Sequence, residues 1–210
     1  MGQDSDKALK TTNGKLDKTN NVNQAQPPAR PTSTPSKVTK PTPSTSAVTK
    51  KEAEPPAFEK GIIDTLVKEF GNKIKAVYAR PLRMKIVVEP EDLSAVAIFL
   101  RDKMGFDHAE SVAGTDYPKD NQIEVIYHLG SYGTRELEGH IMALTTRTSR
   151  DEARLPSLIN VFRSVEYHER ETYEMLGVYF EGHPRNERFL LPEDWADIPP
   201  LRREFRIKGR

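Results

Sequence analysis

The sequence predicts an α+β fold: a small mixed or antiparallel sheet with helices in the order α-β-β-α-β-β-β, followed by a C-terminal helix and an extended arm. Three observations predict it. Apolar residues recur at helical spacing in three places, they alternate with polar residues in several short runs, and the connections between runs are short enough for hairpins. Phe58, Ile62, Leu66 and Phe70 form the first helical stripe, which Gly71-Asn72 ends. Ile74 to Ala79 and Met84 to Val88 read as strands on either side of Arg80-Pro81-Leu82. Leu93, Val96, Ala97, Leu100 and Met104 mark a second helix, which Pro90 precedes and Gly105 ends. Phe106 to Tyr117 is an irregular strand candidate. Gln122 to Leu129 alternates cleanly, with Ile123, Val125, Tyr127 and Leu129 on one face, and His140 to Arg147 follows a turn near Ser131 to Gly133. Helices on one face of the sheet would close the core.

The chain divides into three stretches. Residues 1–56 are rich in Thr, Pro, Ser, Lys, Asn and Gln and nearly free of large apolar side chains, so a disordered tail is expected. Residues 57–150 hold the α+β domain, and 151–210 the helix and arm. After Pro156 a helical segment is predicted, with Ser157 as its N-cap and Ser164 as an alternative cap. A helix then runs from about Val165 to Leu176 and closes at Gly177. Beyond it, turn residues alternate with short apolar pairs. An arm carrying Phe180, Phe189, Leu190, Leu191, Trp195 and Phe205 is too apolar to float free, and should lie along its own surface or a partner's.

Composition excludes several chemistries. The chain has no cysteine, which removes disulfides, thiolate zinc sites, iron–sulfur ligation and a Cys nucleophile. Net charge is +1, and the tail carries +4 of it, leaving the rest near −3; bulk charge implies no nucleic-acid partner. No apolar run approaches the ~18 residues that cross a bilayer, so any membrane association is expected to be peripheral. The N-terminus lacks the apolar stretch of a secretory signal.

The densest segment is Tyr167 to Trp195. On a helical wheel Val165, Glu169, Tyr173 and Leu176 share one side, with Thr172 beside them, so Glu169 is a carboxylate in the middle of an apolar stripe. It needs a cationic or hydrogen-bonding partner there. Arg170, Glu171 and Glu174 point elsewhere, and Glu171 with Glu174 is expected to form a charged rim. His168-Glu169 misses the helical H-E-x-x-H zinc pattern because Thr172 stands at the second His position. His183 reads as a hydrogen-bonded turn residue. No nucleophile motif or phosphate loop accompanies the glutamates, and Glu169 and Glu171 are two residues apart, so they face different sides. The basic C-terminal cluster of Arg202, Arg203, Arg206, Lys208 and Arg210 carries no recognised nucleic-acid-binding motif.

One pattern spans these residues: Glu169-Arg170-Glu171, Glu174-Met175-Leu176-Gly177, Phe180, Gly182-His183-Pro184, Arg188-Phe189-Leu190-Leu191, Asp194-Trp195 and Pro200-Leu201-Arg202-Arg203-Glu204-Phe205. In it the chain resembles the 30-kDa (C) subunit of the complex I family of respiratory NADH–quinone oxidoreductases. Tyr167 replaces the family's usual Trp, Arg203-Glu204 replaces Lys-Asp, and the turn after Trp195 is one residue longer. Within the family it resembles the archaeal branch, whose complexes oxidise a reduced deazaflavin coenzyme instead of NADH.

The resemblance implies a non-catalytic assembly subunit with no cofactor of its own, flavin, iron–sulfur clusters and quinone being held by other subunits. It implies peripheral association with the cytoplasmic side of the cell membrane. It also implies contacts with the quinone-site (D) subunit and with the B and I subunits, and a role in quinone or phenazine reduction coupled to ion translocation. The interface residues it implies are Glu169, Arg170, Glu171, Glu174, Gly177, Phe180, Gly182, His183, Pro184, Arg188, Asp194, Trp195, Leu201 and Arg202. A subunit of a membrane-bound energy-converting hydrogenase, a protein- or RNA-binding adaptor, and a hydrolase using the glutamates are the other readings the sequence leaves open.

Overall fold

The computed structural model describes residues 55–195 and 198–207; the tail expectation falls outside the described residues except at Pro55 and Pro56. Helix α1 (Ala57–Phe70) leads into β1 (Ile74–Arg80) and β2 (Arg83–Val88), and α2 (Leu93–Asp102) precedes β3 (His108–Tyr117), β4 (Gln122–Gly130) and β5 (Ile141–Ser149). After β6 (Arg154–Pro156) come α3 (Val165–Leu176) and β7 (Tyr179–Glu181). The fold is α+β, with a mixed five-stranded sheet in the order β1-β2-β5-β4-β3. The β1–β2 hairpin and the β3-β4-β5 meander are each antiparallel, and they join through a parallel β2–β5 pair.

The alternation in Gln122–Leu129 carries through: Ile123, Val125, Tyr127 and Leu129 are fully buried on one face of β4. Met84, Ile86, Met142 and Leu144 continue that face across β2 and β5. Leu66 of α1, Leu93, Val96 and Leu100 of α2, and Val165 and Leu176 of α3 pack onto it in one cluster. Each such side chain contributes ~1.5–3 kcal/mol when buried. The helices thus share one face of the sheet.

Three local expectations differ from the structure. The irregularity of Phe106 to Tyr117 is a β-bulge: Ala109 pairs with Leu129 and Ser111 with His128, leaving Glu110 as the extra residue in β3. The second helix stops at Asp102, short of Met104. No helix begins at Ser157. Residues 157–164 are turns, and the Ser157 N–H donates to the Glu181 carbonyl at 2.8 Å, extending the parallel β6–β7 pair. The Ser157 hydroxyl accepts the Ile159 N–H at 3.2 Å, as a cap would, and donates to Glu169, but a turn and not a helix follows it. The β6–β7 pair itself is too short for a two-residue period to be read from the sequence.

Gly114 lets α3 approach the sheet. A Cβ at this β3 position would collide with Leu176 and touch Thr172 at 3.5 Å. Leu176 is 1% exposed, so it has no room to swing away. Gly114→Val should therefore lower stability by ~1–3 kcal/mol, read as a reduced urea midpoint; an unchanged midpoint would show that α3 rides further from β3.

Candidate functional site

The stripe on α3 buries Val165, Glu169, Thr172 and Leu176 against the sheet, with Tyr173 half-buried, as the wheel places them. Glu169 is fully enclosed and meets three donors. The Leu158 N–H and the Tyr127 hydroxyl donate to Oε1 at 2.8 and 3.0 Å, and the Ser157 hydroxyl donates to Oε2 at 2.5 Å. Of the two partner types expected, a donor network is present, and Glu169 forms no ion pair among the described residues. Burial pushes its carboxyl up to about 7, although the Ser157, Leu158 and Tyr127 donors pull the other way. Burial, and then the Glu169 charge, raise the Tyr127 phenol well above its ordinary value.

Glu174, five residues along the same helix, has the opposite environment. It does not join an exposed rim with Glu171: the arm folds back over it and buries it, while Glu171 stays exposed. The cause is a backbone demand. Three successive N–H groups of the arm need an acceptor, and Glu174 takes Phe189 at 3.0 Å, Leu190 at 2.9 Å and Leu191 at 2.7 Å. The Arg188 Nε lies 3.5 Å from its Oε1. Burial raises the carboxyl, but these four groups outweigh it and hold it below the usual glutamate range.

Arg170 is also buried, contrary to its expected outward position. Its guanidinium lies 4.4 Å from the Phe189 ring centre and 5.6 Å from that of Tyr167, and its Nε donates to the Glu187 carbonyl. Gly177 ends α3 with φ 75°, and its N–H donates to the Tyr173 carbonyl. The arm takes two further carbonyls at this end of α3: Met175 accepts the Leu201 N–H at 2.9 Å and Leu176 accepts the Arg202 Nε at 2.7 Å. A cation at a helix C-terminus also complements the helix dipole. Arg202 reaches on to the Arg150 carbonyl.

Phe180 is fully buried in β7, and Asn186 clasps its backbone from both sides. Gly182 turns at φ 82°, exposed Pro184 follows, and His183 is a hydrogen-bonded turn residue: Nδ1 accepts the Arg185 N–H and Nε2 meets the Glu166 carbonyl at 3.0 Å. Asp194 lies in a short 3-10 turn ending at Trp195, whose ring sits 5.6 Å from Phe205.

Sequence reasoning missed several members of this arrangement. Tyr127 and Ser157 come from separate parts of the chain, and no local spacing announces them. Asp116 of β3 was also missed; it accepts from Arg150 at 2.6 Å and from the Arg203 N–H at 2.9 Å, while Arg150 also meets Glu204 at 2.6 Å. The arm's backbone is thus tied to the rest of the chain at several points. The exposed side of the arm mixes apolar and charged residues: Leu190, Leu201 and Ile207 are about half exposed, as is Tyr167 on α3, and Arg185, Glu187, Glu193 and Arg206 are exposed with them. Among the described residues no helix is long and apolar enough to cross a membrane.

Known proteins resemble this chain. The family model for the respiratory-chain NADH dehydrogenase 30 Kd subunit matches residues 86–210. The C subunit of F(420)H(2) dehydrogenase from Methanosarcina mazei is 32% identical over 145 residues, covering 69% of this chain and 89% of the relative. The C subunit of NADH-quinone oxidoreductase from Chlorobium phaeobacteroides is 32% identical over 148 residues, covering 69% and 87%. A chain of the membrane-bound sulfane sulfur reductase, an archaeal respiratory membrane complex, shares the fold with a TM-score of 0.57 at 23% identity, covering 71% of this chain and 86% of that one. The chain belongs to the 30 Kd subunit family of respiratory-chain NADH dehydrogenase, a family of subunits of oxidoreductase complexes.

The Glu169 environment sets a pH dependence. Its folded-state value of about 7 lies above the ordinary 4.5, so the stability it contributes is complete below ~4.5 and is lost as pH rises through ~7. The loss is on the order of 3 kcal/mol. Urea midpoints between pH ~5 and ~8 should fall with pH for the native chain and much less for Glu169→Gln. Equal slopes would assign the titration to another group.

Proposed function

We propose that this member of the family is a non-catalytic assembly subunit of a complex I-like oxidoreductase, and that α3 and the arm hold the quinone-site (D) subunit, with the B and I subunits nearby. The complex passes electrons from NADH or a reduced deazaflavin to quinone or phenazine and couples this to ion translocation. The subunit lies on the cytoplasmic side, attached to the membrane through its partners. One observation carries the reading: the arm is anchored by bonds inside the chain and still leaves Tyr167, Leu190, Leu201 and Ile207 about half exposed. Exposed apolar side chains on a backbone anchored in this way suit docking better than turnover. Glu174 and Arg188 pair with each other, so their charges serve the fold before any substrate.

The deazaflavin donor is favoured by the similarity to the F(420)H(2) dehydrogenase relative, and the quinone acceptor by the similarity to the NADH-quinone oxidoreductase relative. The flavin, the iron–sulfur clusters and the quinone site then belong to other subunits.

Replacing Leu190 and Leu201 together by Glu leaves the anchoring bonds in place, since both residues bond through their backbone. The isolated variant should unfold at the native urea midpoint, while its recovery in the complex purified from native membranes falls at least ~10-fold, as for loss of interface hot spots. Quinone reductase activity should fall in proportion to assembled complex. Full assembly with normal activity would overturn the docking role; assembly at native level with lost activity would instead give these residues a part in turnover.

A further inference from the structure

The buried charges of this protein are satisfied with one exception. Glu59, Asp116, Glu124, Glu169 and Glu174 are the buried carboxylates among the described residues, and each accepts from amides, hydroxyls or cations of the chain. Arg170 is the one buried Lys or Arg among the described residues, 7% exposed, and it forms no ion pair with them. A guanidinium carries N–H donors at Nε and at both Nη groups. In Arg170 the Nε–H goes to the Glu187 carbonyl at 3.2 Å, and the Nη groups meet no acceptor among the described residues. Removing a cation from water without a counter-charge is costly, so this is an unfinished contact.

The neighbourhood explains both the burial and the shortfall. The guanidinium carbon lies 4.4 Å from the Phe189 ring centre and 5.6 Å from that of Tyr167, and the two ring centres are 5.9 Å apart. Ring faces attract the charge but supply no lone pair to its N–H groups. Glu174, one turn along α3, spends its oxygens on the Phe189, Leu190 and Leu191 amides and on Arg188. Glu187 lends its carbonyl alone. The Nη end is not sealed: the enclosed, unpaired side-chain polar atoms among the described residues are His140 Nδ1 and the hydroxyls of Thr145 and Thr146. The unspent donors therefore reach the surface beside Tyr167 and Phe189, which are 58% and 41% exposed.

We propose that an Asp or Glu side chain of the neighbouring subunit docked on α3 and the arm reaches this notch and pairs with the Arg170 Nη groups. The proposal rests on the docking reading above and adds the chemistry of one contact within it. A guanidinium fork takes a carboxylate through two parallel N–H bonds. The two rings and the Glu187 carbonyl already hold Arg170, so little side-chain freedom is left to lose on pairing. Tyr167 and Phe189 would shield the pair from water, as the rim of an interface hot spot does.

The test uses the complex purified from native membranes. There the Arg170→Lys chain places an amine at position 170, which a carbodiimide joins directly to any carboxylate it touches. An amide from position 170 to an Asp or Glu of another subunit, located by mass spectrometry, is expected. A cross-link only to Glu166, Glu171 or Glu187 of the same chain overturns the proposal, as does an assembled complex with no cross-link at this position. The native chain gives a second reading, because phenylglyoxal modifies the Nη groups of arginine. Arg170 should react at least ~10-fold more slowly in the complex than in the isolated full chain, matching burial in a stable interface. Equal rates overturn the proposal, and so does protection already complete in the isolated chain. Where the Arg170→Lys chain does not assemble, this comparison decides alone, with protection supporting the pair. The docking reading is scored separately by the double variant at Leu190 and Leu201. Its full assembly counts against docking, while its loss together with an unprotected Arg170 counts against this contact alone.

Discussion

A carboxylate sealed from water must find donors, and in this protein that requirement ties three distant pieces of chain together. Glu169 on α3 draws in the hydroxyl of Tyr127 from strand β4 and both the side chain and backbone of the 157–158 turn. Moving α3 along its axis would leave a buried carboxylate or a buried phenol unpaired, at a cost of several kcal/mol. The helix therefore has one register on the sheet. Everything downstream is placed by that register, since the arm takes its positions from carbonyls and carboxylates that α3 presents.

The two buried glutamates of α3 show how environment, not residue type, decides the state of a carboxyl. Glu169 meets two hydroxyls and one amide in an apolar surround, and burial wins. Glu174 meets three amides and an arginine, and the charge is kept. The first holds the helix to the sheet in a form that tolerates protonation. The second holds the arm to the helix and needs its negative charge, so acid loosens the arm while leaving the Glu169 contact intact.

The repeating elements were legible because periodicity reports burial directly. The alternation of Ile123, Val125, Tyr127 and Leu129, and the stripe of Val165, Tyr173 and Leu176 around a misplaced Glu169, each describe one face of one element. What was illegible depends on partners far along the chain. Nothing near Glu174 announces that residues 189–191 will return to it, so a helical wheel puts it outside. Nothing near Ser157 announces that its amide will go to residue 181, so a cap is the natural reading. The bulge at Glu110 left a trace as broken alternation, readable as an irregularity but not as its cause. The family resemblance carried by the arm's motif was the most specific signal in the sequence, and the family is confirmed by the match over residues 86–210.

The bond set that anchors the arm has a consequence for the kinetics of encounter. Segments that order themselves only on binding spend part of the interaction energy on that ordering. Here the Glu174 cradle, the Asn186 clasp and the Arg202 bridge have already fixed the backbone before any partner arrives. In the proposed docking role, the segment from Glu174 to Leu191 would meet its neighbour with its backbone already set, leaving side chains to settle. Recognition in that role would be closer to the fitting of two finished surfaces than to folding upon contact, with association set by orientation and charge rather than by a slow rearrangement of this chain.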